Sequence, residues 1–277
     1  MCLIALLIVC AVLVIALRKE EKTIQYDIVV LGDSIVGNVG EGGVSFTSYL
    51  GEKLNKTAFK GGFGGTTMSF GTDKMWHSIS NIELCMVKLA EAISYNQWDS
   101  QSANMAYALS YEGINNQSLS YFESTLATLK NIDFDKVEIL IIEHGTNDYN
   151  SGKVLDNPEN LYDVCTFGGA LRRSLSLLKK AYPDLRIVIM SPMYCGLGEN
   201  QEKKCYNTKY GEGSYLDEYV ALEKQIAKEF EVEYIDAFHD SGIWEDNAYL
   251  YLPDHLHLNA DGHKVVGDFL VDYFLNN

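Results

Sequence analysis

The sequence predicts an α/β fold built on a mostly parallel, five-stranded sheet covered by helices on both faces. Three observations carry that prediction. Short β-branched runs alternate with longer helical patterns, as they do where each parallel strand is followed by a crossover helix. Five such runs are present, which suffices for one doubly wound domain. The chain has 277 residues, 47% hydrophobic and 22% charged, without an internal repeat or low-complexity linker, and this excludes disordered, fibrous and repeat architectures.

The elements follow in chain order. The first seventeen residues, MCLIALLIVCAVLVIAL, are uncharged and lead into Arg18, Lys19, Glu20, Glu21 and Lys22. As a helix this run reaches ~26 Å against a hydrocarbon core of ~30 Å, the lower end of what spans a bilayer. Having no polar face, it reads as an N-terminal hydrophobic helix, a membrane anchor or uncleaved signal over residues 1–22, rather than a core helix. Basic residues after the span argue for a cytoplasmic domain. The export-like position argues for an extracytoplasmic one, anchored or secreted, and that is the expectation adopted.

Residues 23–277 form the globular domain. Strands are expected at Tyr26 to Leu31, Thr57 to Lys60, Val137 to Glu143, Arg186 to Met190 and Val232 to Ile235. Helices are expected at Phe46 to Leu54, Ile79 to Tyr95, Leu119 to Lys130, Leu161 to Tyr182, Tyr215 to Phe230 and Ala260 to Phe274, the fourth ended by Pro183. The second and third strands are joined by about eighty residues, too many for a simple crossover, so a helical insertion is expected around 68–130.

Charge narrows the partners. With 22 Lys and Arg against 38 Asp and Glu, the net charge of -16 has the wrong sign for clamping a nucleic acid. It also repels anionic headgroups and favours neutral or cationic substrates arriving by diffusion. Oligomeric state is not legible. Of six Cys, Cys85 and Cys165 read as small buried side chains. Cys195 and Cys205 bracket the loop CGLGENQEKKC, and the spacing leaves a disulfide and a free pair equally open.

In an open parallel sheet, ligands bind outside the carboxyl ends of the strands, and four of those ends carry unusual residues. IVVLGDS delivers Ser34 at the end of the first strand, where a Ser taken alone is a helix cap. The second strand runs into GGFGGTT, whose glycines admit a ligand close to the backbone but lack the Lys of a phosphate loop. ILIIEHGTND places Asn147 at the exit of the third, where an Asn is an ordinary turn residue. In DHLHLNADGH, Asp254 and His257 are three apart, so one turn can bring the carboxylate onto one imidazole nitrogen and leave the other facing a cleft. A Ser hydroxyl needs such a base, and the base needs an acid to hold its tautomer. The same stretch, with His255, His263 and Asp261, is also open to reading as metal ligands, although alternating residues would have to converge from opposite faces.

Taken together, the four segments resemble the SGNH, or GDSL-type, hydrolase family. GDS with Ser34 resembles its first block, the Gly-rich turn its second, GTND its third and DHLH its last. The resemblance spans Tyr26 to the C-terminus and implies a three-layer α/β/α fold, flavodoxin-like in its sheet. It implies Ser34 as nucleophile, His257 as base and Asp254 as its orienting partner. The oxyanion hole would comprise the N–H of Ser34, the N–H of Gly65 and the side-chain amide of Asn147, with no metal and no organic cofactor. Ile35 stands where the GDSL signature has Leu, and Lys60 where the second block often carries Asn, which keeps Gly64 as the alternative to Gly65. Val36 in place of a second Gly excludes the G-x-S-x-G elbow of the α/β-hydrolases. Asp33, Asp148 and His144 read as structural. The implied activity is serine esterase or acylhydrolase chemistry on a small-molecule or glycan ester. An O-acylated carbohydrate of the cell envelope or environment is preferred over a lipase or lysophospholipase substrate, because 18 Tyr favour stacking on sugars. The alternative from another class is a catalytically silent, membrane-tethered glycan-binding module.

Overall fold

In the computed structural model, the residues described are 23–71, 83–108, 118–196 and 203–277. Five parallel strands form the sheet: β1 (Ile28–Gly32), β2 (Ala58–Gly62), β3 (Ile139–Glu143), β4 (Arg186–Met190) and β5 (Glu233–Ile235), in the order β2-β1-β3-β4-β5. Burial explains the order. Every residue of β1 and β3 is buried, as central strands covered on both faces must be, whereas β2 and β5 at the edges are only partly so.

The register places the carboxyl ends in one row. Gly32 pairs with Gly62 on one side and Glu143 on the other, and Glu143 pairs with Met190. The chain winds one way from β1 to β2 and the opposite way to β3, so β1 and β3 flank the point where the connections diverge. A crevice opens there for geometric reasons.

The helices are α1 (Ser34–Gly37), α2 (Phe46–Leu54), α3 (Met86–Tyr95), α4 (Asp99–Ala108), α5 (Leu119–Asn131), α6 (Thr146–Asn150), α7 (Phe167–Ala181), α8 (Leu216–Glu229), α9 (Ala237–Asp240), α10 (Ala248–Tyr251) and α11 (Ala260–Asn276). Two groups flank the sheet: α2 packs on α11, and α7 packs on both α3 and α8. Helix α7 shows why. Phe167, Ala170, Leu171, Ser174, Leu175 and Leu178 recur at helical spacing and are all buried.

Some boundaries differ from the sequence expectation. Helix α2 occupies the expected span, because Ser45 caps its start and Asn55 closes it in the left-handed region. Helix α7 starts at Phe167 rather than Leu161, since the Thr166 side chain caps it and Asn157, Asn160 and Asp163 fold the preceding residues into turns of their own. Cys165 lies in those turns and is exposed, not buried as expected; its N–H donates to Asp163. Helix α3 begins at Met86, and 79–82 of the expected helix lie outside the described residues. Helix α4 was given no span of its own within the helical insertion expected around 68–130, because DSQSANMAYA shows no one-sided apolar period. Cys195 and Cys205 are buried free thiols hydrogen-bonded to each other, not a disulfide. The expected N-terminal hydrophobic helix, residues 1–22, lies outside the described residues. Among the described residues no helix is long and apolar enough to cross a membrane.

Candidate active site

The site is assembled from the ends of β1, β2 and β3 and from one turn near the C-terminus. After β1, the carboxylate of Asp33 accepts the Ile35 N–H at 2.8 Å and caps α1. Ser34 is therefore the first helical residue, whose N–H intrahelical bonding leaves unused. Gly62 on β2 lets α1 lie this close: a Cβ there would sit 2.2 Å from the Gly37 nitrogen.

The second part is the turn Asp254–His257. His255 adopts φ 67°, an unusual conformation for a residue with a side chain, and the backbone curls so that Asp254 Oδ1 accepts from Leu256 N–H at 3.1 Å and His257 N–H at 2.7 Å. Asp254 Oδ2 is 2.7 Å from His257 Nδ1, and His257 Nε2 is 2.9 Å from Ser34 Oγ. A carboxylate only accepts, so Nδ1 carries the proton and Nε2 receives the Ser34 hydroxyl. Burial works to raise the pKa of Asp254, but the hydrogen bonds from the His257 side chain and backbone outweigh it and hold the carboxyl below 3.8.

The third part is the rim where an oxyanion would sit. Phe63–Thr66 forms a turn closed by Thr66 N–H to Phe63 O at 3.2 Å, with Gly65 in its third position at φ 75°, where a side chain would be strained. Asn147 follows β3 on α6. Its Nδ2 donates to Asp33 Oδ2 at 2.8 Å and to Thr66 O at 2.9 Å, so both amide protons have protein acceptors. The amide expected to face an oxyanion is thus tied to Asp33 and the Gly-rich turn, and pointing it at a substrate oxygen requires sharing or releasing one of these bonds.

Burial raises the pKa of Asp33 to about 7, against the pull of the Ile35 N–H, the nearby His257 and the Asn147 amide. Asp148 accepts from Met68 N–H, Ser69 N–H and Ser69 Oγ at 2.7, 3.0 and 2.6 Å, pinning the chain after the Gly-rich turn. His144 is fully buried and burial lowers its pKa to about 3, so it packs as a neutral ring. His263 is also buried, its Nδ1 accepting the Phe46 N–H at 3.3 Å, while Asp261 pairs with Lys264. Among the described residues no three His, Cys, Asp or Glu side chains gather as a metal-ligand set.

Beside the imidazole opens a cleft of about 410 Å³, lined among others by Asn38, Lys60, Tyr121, Asp254 and His257. Lys60 and Tyr121 were not anticipated as lining residues. The departure of Lys60 from the resembled pattern was the available signal, whereas nothing local marks Tyr121, some sixty positions away.

A parallel β2-β1-β3-β4-β5 sheet flanked by helices, with Ser34, His257 and Asp254 at its carboxyl rim, defines a doubly wound α/β domain of flavodoxin-like topology. The chain belongs to the GDSL-like lipase/acylhydrolase family, whose model matches residues 88–265. That span includes Asn147, Asp254 and His257 and begins after Ser34 and Gly65. No curated protein matches the chain. Among solved structures, a protein from Lactobacillus plantarum is similar at 18% identity and TM-score 0.59, over 92% of this chain and 99% of that one. A possible lipase from Chitinophaga pinensis matches at 16% identity and TM-score 0.56, over 91% and 98%. A carbohydrate acetylesterase from Sinorhizobium meliloti matches at 13% identity and TM-score 0.52, over 92% and 99%. These likenesses establish the α/β SGNH-like fold, and family membership implies ester hydrolysis.

Proposed function

We propose that the protein is a serine esterase that removes short acyl groups, acetyl above all, from an O-acylated carbohydrate. One observation carries the chemistry: the continuous hydrogen-bond chain from Asp254 through His257 to Ser34 Oγ. Ser34 Oγ attacks the ester carbonyl as His257 Nε2 takes its proton, and Asp254 steadies the imidazolium. The carbonyl oxygen, now negative, meets the N–H groups of Ser34 and Gly65 and the Asn147 amide, which leaves one of its present acceptors to do so. His257 then delivers its proton to the leaving alkoxide, and water repeats the sequence on the acyl-enzyme.

The fold serves a carbohydrate acetylesterase and a possible lipase alike, so substrate preference rests on the cleft. Asn38, Lys60, Ser118 and Tyr121 line it beside Val39, Pro253 and Leu258, and this mixture of hydrogen-bonding groups and an aromatic face suits a sugar better than a long acyl chain. The apolar run at 1–17 would tether such an enzyme to a membrane with its domain extracytoplasmic.

A fluorophosphonate probe, followed by mass-spectrometric mapping, is expected to label Ser34. Ser34→Ala is expected to abolish labelling and to lower hydrolysis of acetyl esters by ~10⁴-fold or more, with wild type preferring acetyl over long-chain esters. Absence of labelling at Ser34 would instead support a silent binding module.

A further inference from the structure

The cleft beside His257 contains a feature the triad does not use. Lys60, on β2, is half-buried, and its Nζ donates to Gly37 O at 2.6 Å and lies 4.9 Å from the centre of the Tyr121 ring. No carboxylate among the described residues pairs with it. Asp254 lines the same cleft, but both of its oxygens are engaged by His257 and two backbone N–H groups. Burial alone lowers the pKa of Lys60 to about 8, the behaviour of an ammonium that has lost water without gaining an anion. In a chain of net charge -16, an unpaired cation held in the cleft is a local reversal of the overall field.

The position of the cleft says which part of a substrate meets Lys60. The imidazolium must deliver its proton to the leaving oxygen, so the alcohol half of the ester lies on the His257 side, and His257 and Asp254 line this cleft. Building on the esterase reading above, we propose that the alcohol half carries a carboxylate: the substrate is an acylated acidic sugar, and Lys60 pairs with its carboxylate while the acyl carbonyl meets Ser34. A single flexible ammonium, with no Arg or second Lys lining the cleft among the described residues, matches one monoanionic group.

The test compares two esters that differ only at C6, an O-acetylated methyl galacturonide and the corresponding methyl galactoside, on the full chain and on Lys60→Met and Lys60→Arg. Wild type is expected to favour the galacturonide in kcat/KM by ~10-fold or more, the range of one charge-assisted hydrogen bond. Lys60→Met is expected to bring that ratio to about one, and Lys60→Arg to preserve most of it. A wild-type ratio near one overturns the proposal. So does a Lys60→Met variant that slows both esters equally, which is what a purely structural tie to Gly37 would produce. Calorimetric titration of the unacetylated sugars separates this idea from the esterase reading. Lys60-dependent binding of methyl galacturonide without turnover of either ester would keep the anion site and sink the esterase. Turnover of both esters without selectivity would do the reverse.

Discussion

At the rim of the sheet, Asp254 has a side chain 49% exposed and three hydrogen-bonded partners, and its carboxyl is held below the usual range. Inside the domain, Glu143 at the end of β3 and Glu223 on α8 are buried, and neither oxygen of either carboxyl has a partner among the described residues. Burial pushes both pKa values well up, and each acid raises the next: Asp33 acts on Glu143, and Glu143 on Glu223. The same functional group is therefore an anion in one region and a neutral acid in the other. The difference teaches that hydrogen-bond donors, more than distance to other acids, sort carboxyls into charged and uncharged roles. Asp33 lies between the two regimes, buried like the glutamates but supplied with two donors, and its pKa of about 7 reflects both.

The largest effect comes from removing the charge at the rim. Asp254→Asn keeps an oxygen for the backbone N–H groups but favours the wrong imidazole tautomer, and kcat on an acetyl ester is expected to fall ~10⁴-fold. Asp254 has a depressed pKa, so it stays ionised above 3.8 and its contribution to stability is lost only as pH falls below that value. A fall in wild-type kcat/KM between pH 8 and pH 5 is therefore not due to protonation of Asp254.

A smaller effect is expected at the intermediate carboxyl. In Asp33→Asn one oxygen must serve two donors, so the Asn147 amide loses its fixed position and kcat/KM drops ~10-fold or more. The pH dependence of stability sharpens the comparison. A raised acid pKa means that its stabilising share is present below the unfolded value near 3.8 and is lost as pH rises through about 7. Thermal melts at pH 5 and pH 8 should therefore differ less in Asp33→Asn than in wild type, and an unchanged difference would show that Asp33 is already ionised in the folded protein at pH 5.

The smallest effect belongs to the interior. Glu223→Met replaces an unpartnered carboxyl by an apolar side chain of similar size, worth about 1–3 kcal/mol and a few degrees in Tm. Because the pKa of Glu223 is raised, its ionisation opposes folding increasingly as pH rises, so the gain should be larger at pH 8 than at pH 5. A loss of Tm at both would mean that the carboxyl has a use in the core.

Much of this was legible in advance, and for identifiable reasons. Arg186 to Met190 and Phe46 to Leu54 occupy the spans that apolar pattern and capping residues predict. The start of α7 was misread because Asp163 and Thr166 prefer local side-chain-to-backbone bonds over another helical turn. Ser34, Asp254 and His257 were legible as motifs because each occupies a short stretch with its own turn chemistry.

The sequence alone set where most strands fall, where the candidate nucleophile, base and acid stand along the chain, and that one turn can join the last two. Such properties depend on hydrophobic period and on bonds spanning a few residues. Only the tertiary structure decided that Ser34 meets His257 across 223 positions, that Asn147 is held by Asp33 and Thr66, and that Lys60 enters the cleft beside Tyr121. Those contacts arise because the parallel register lines up strand ends distant in the chain, and no local pattern encodes which side chains then face one another.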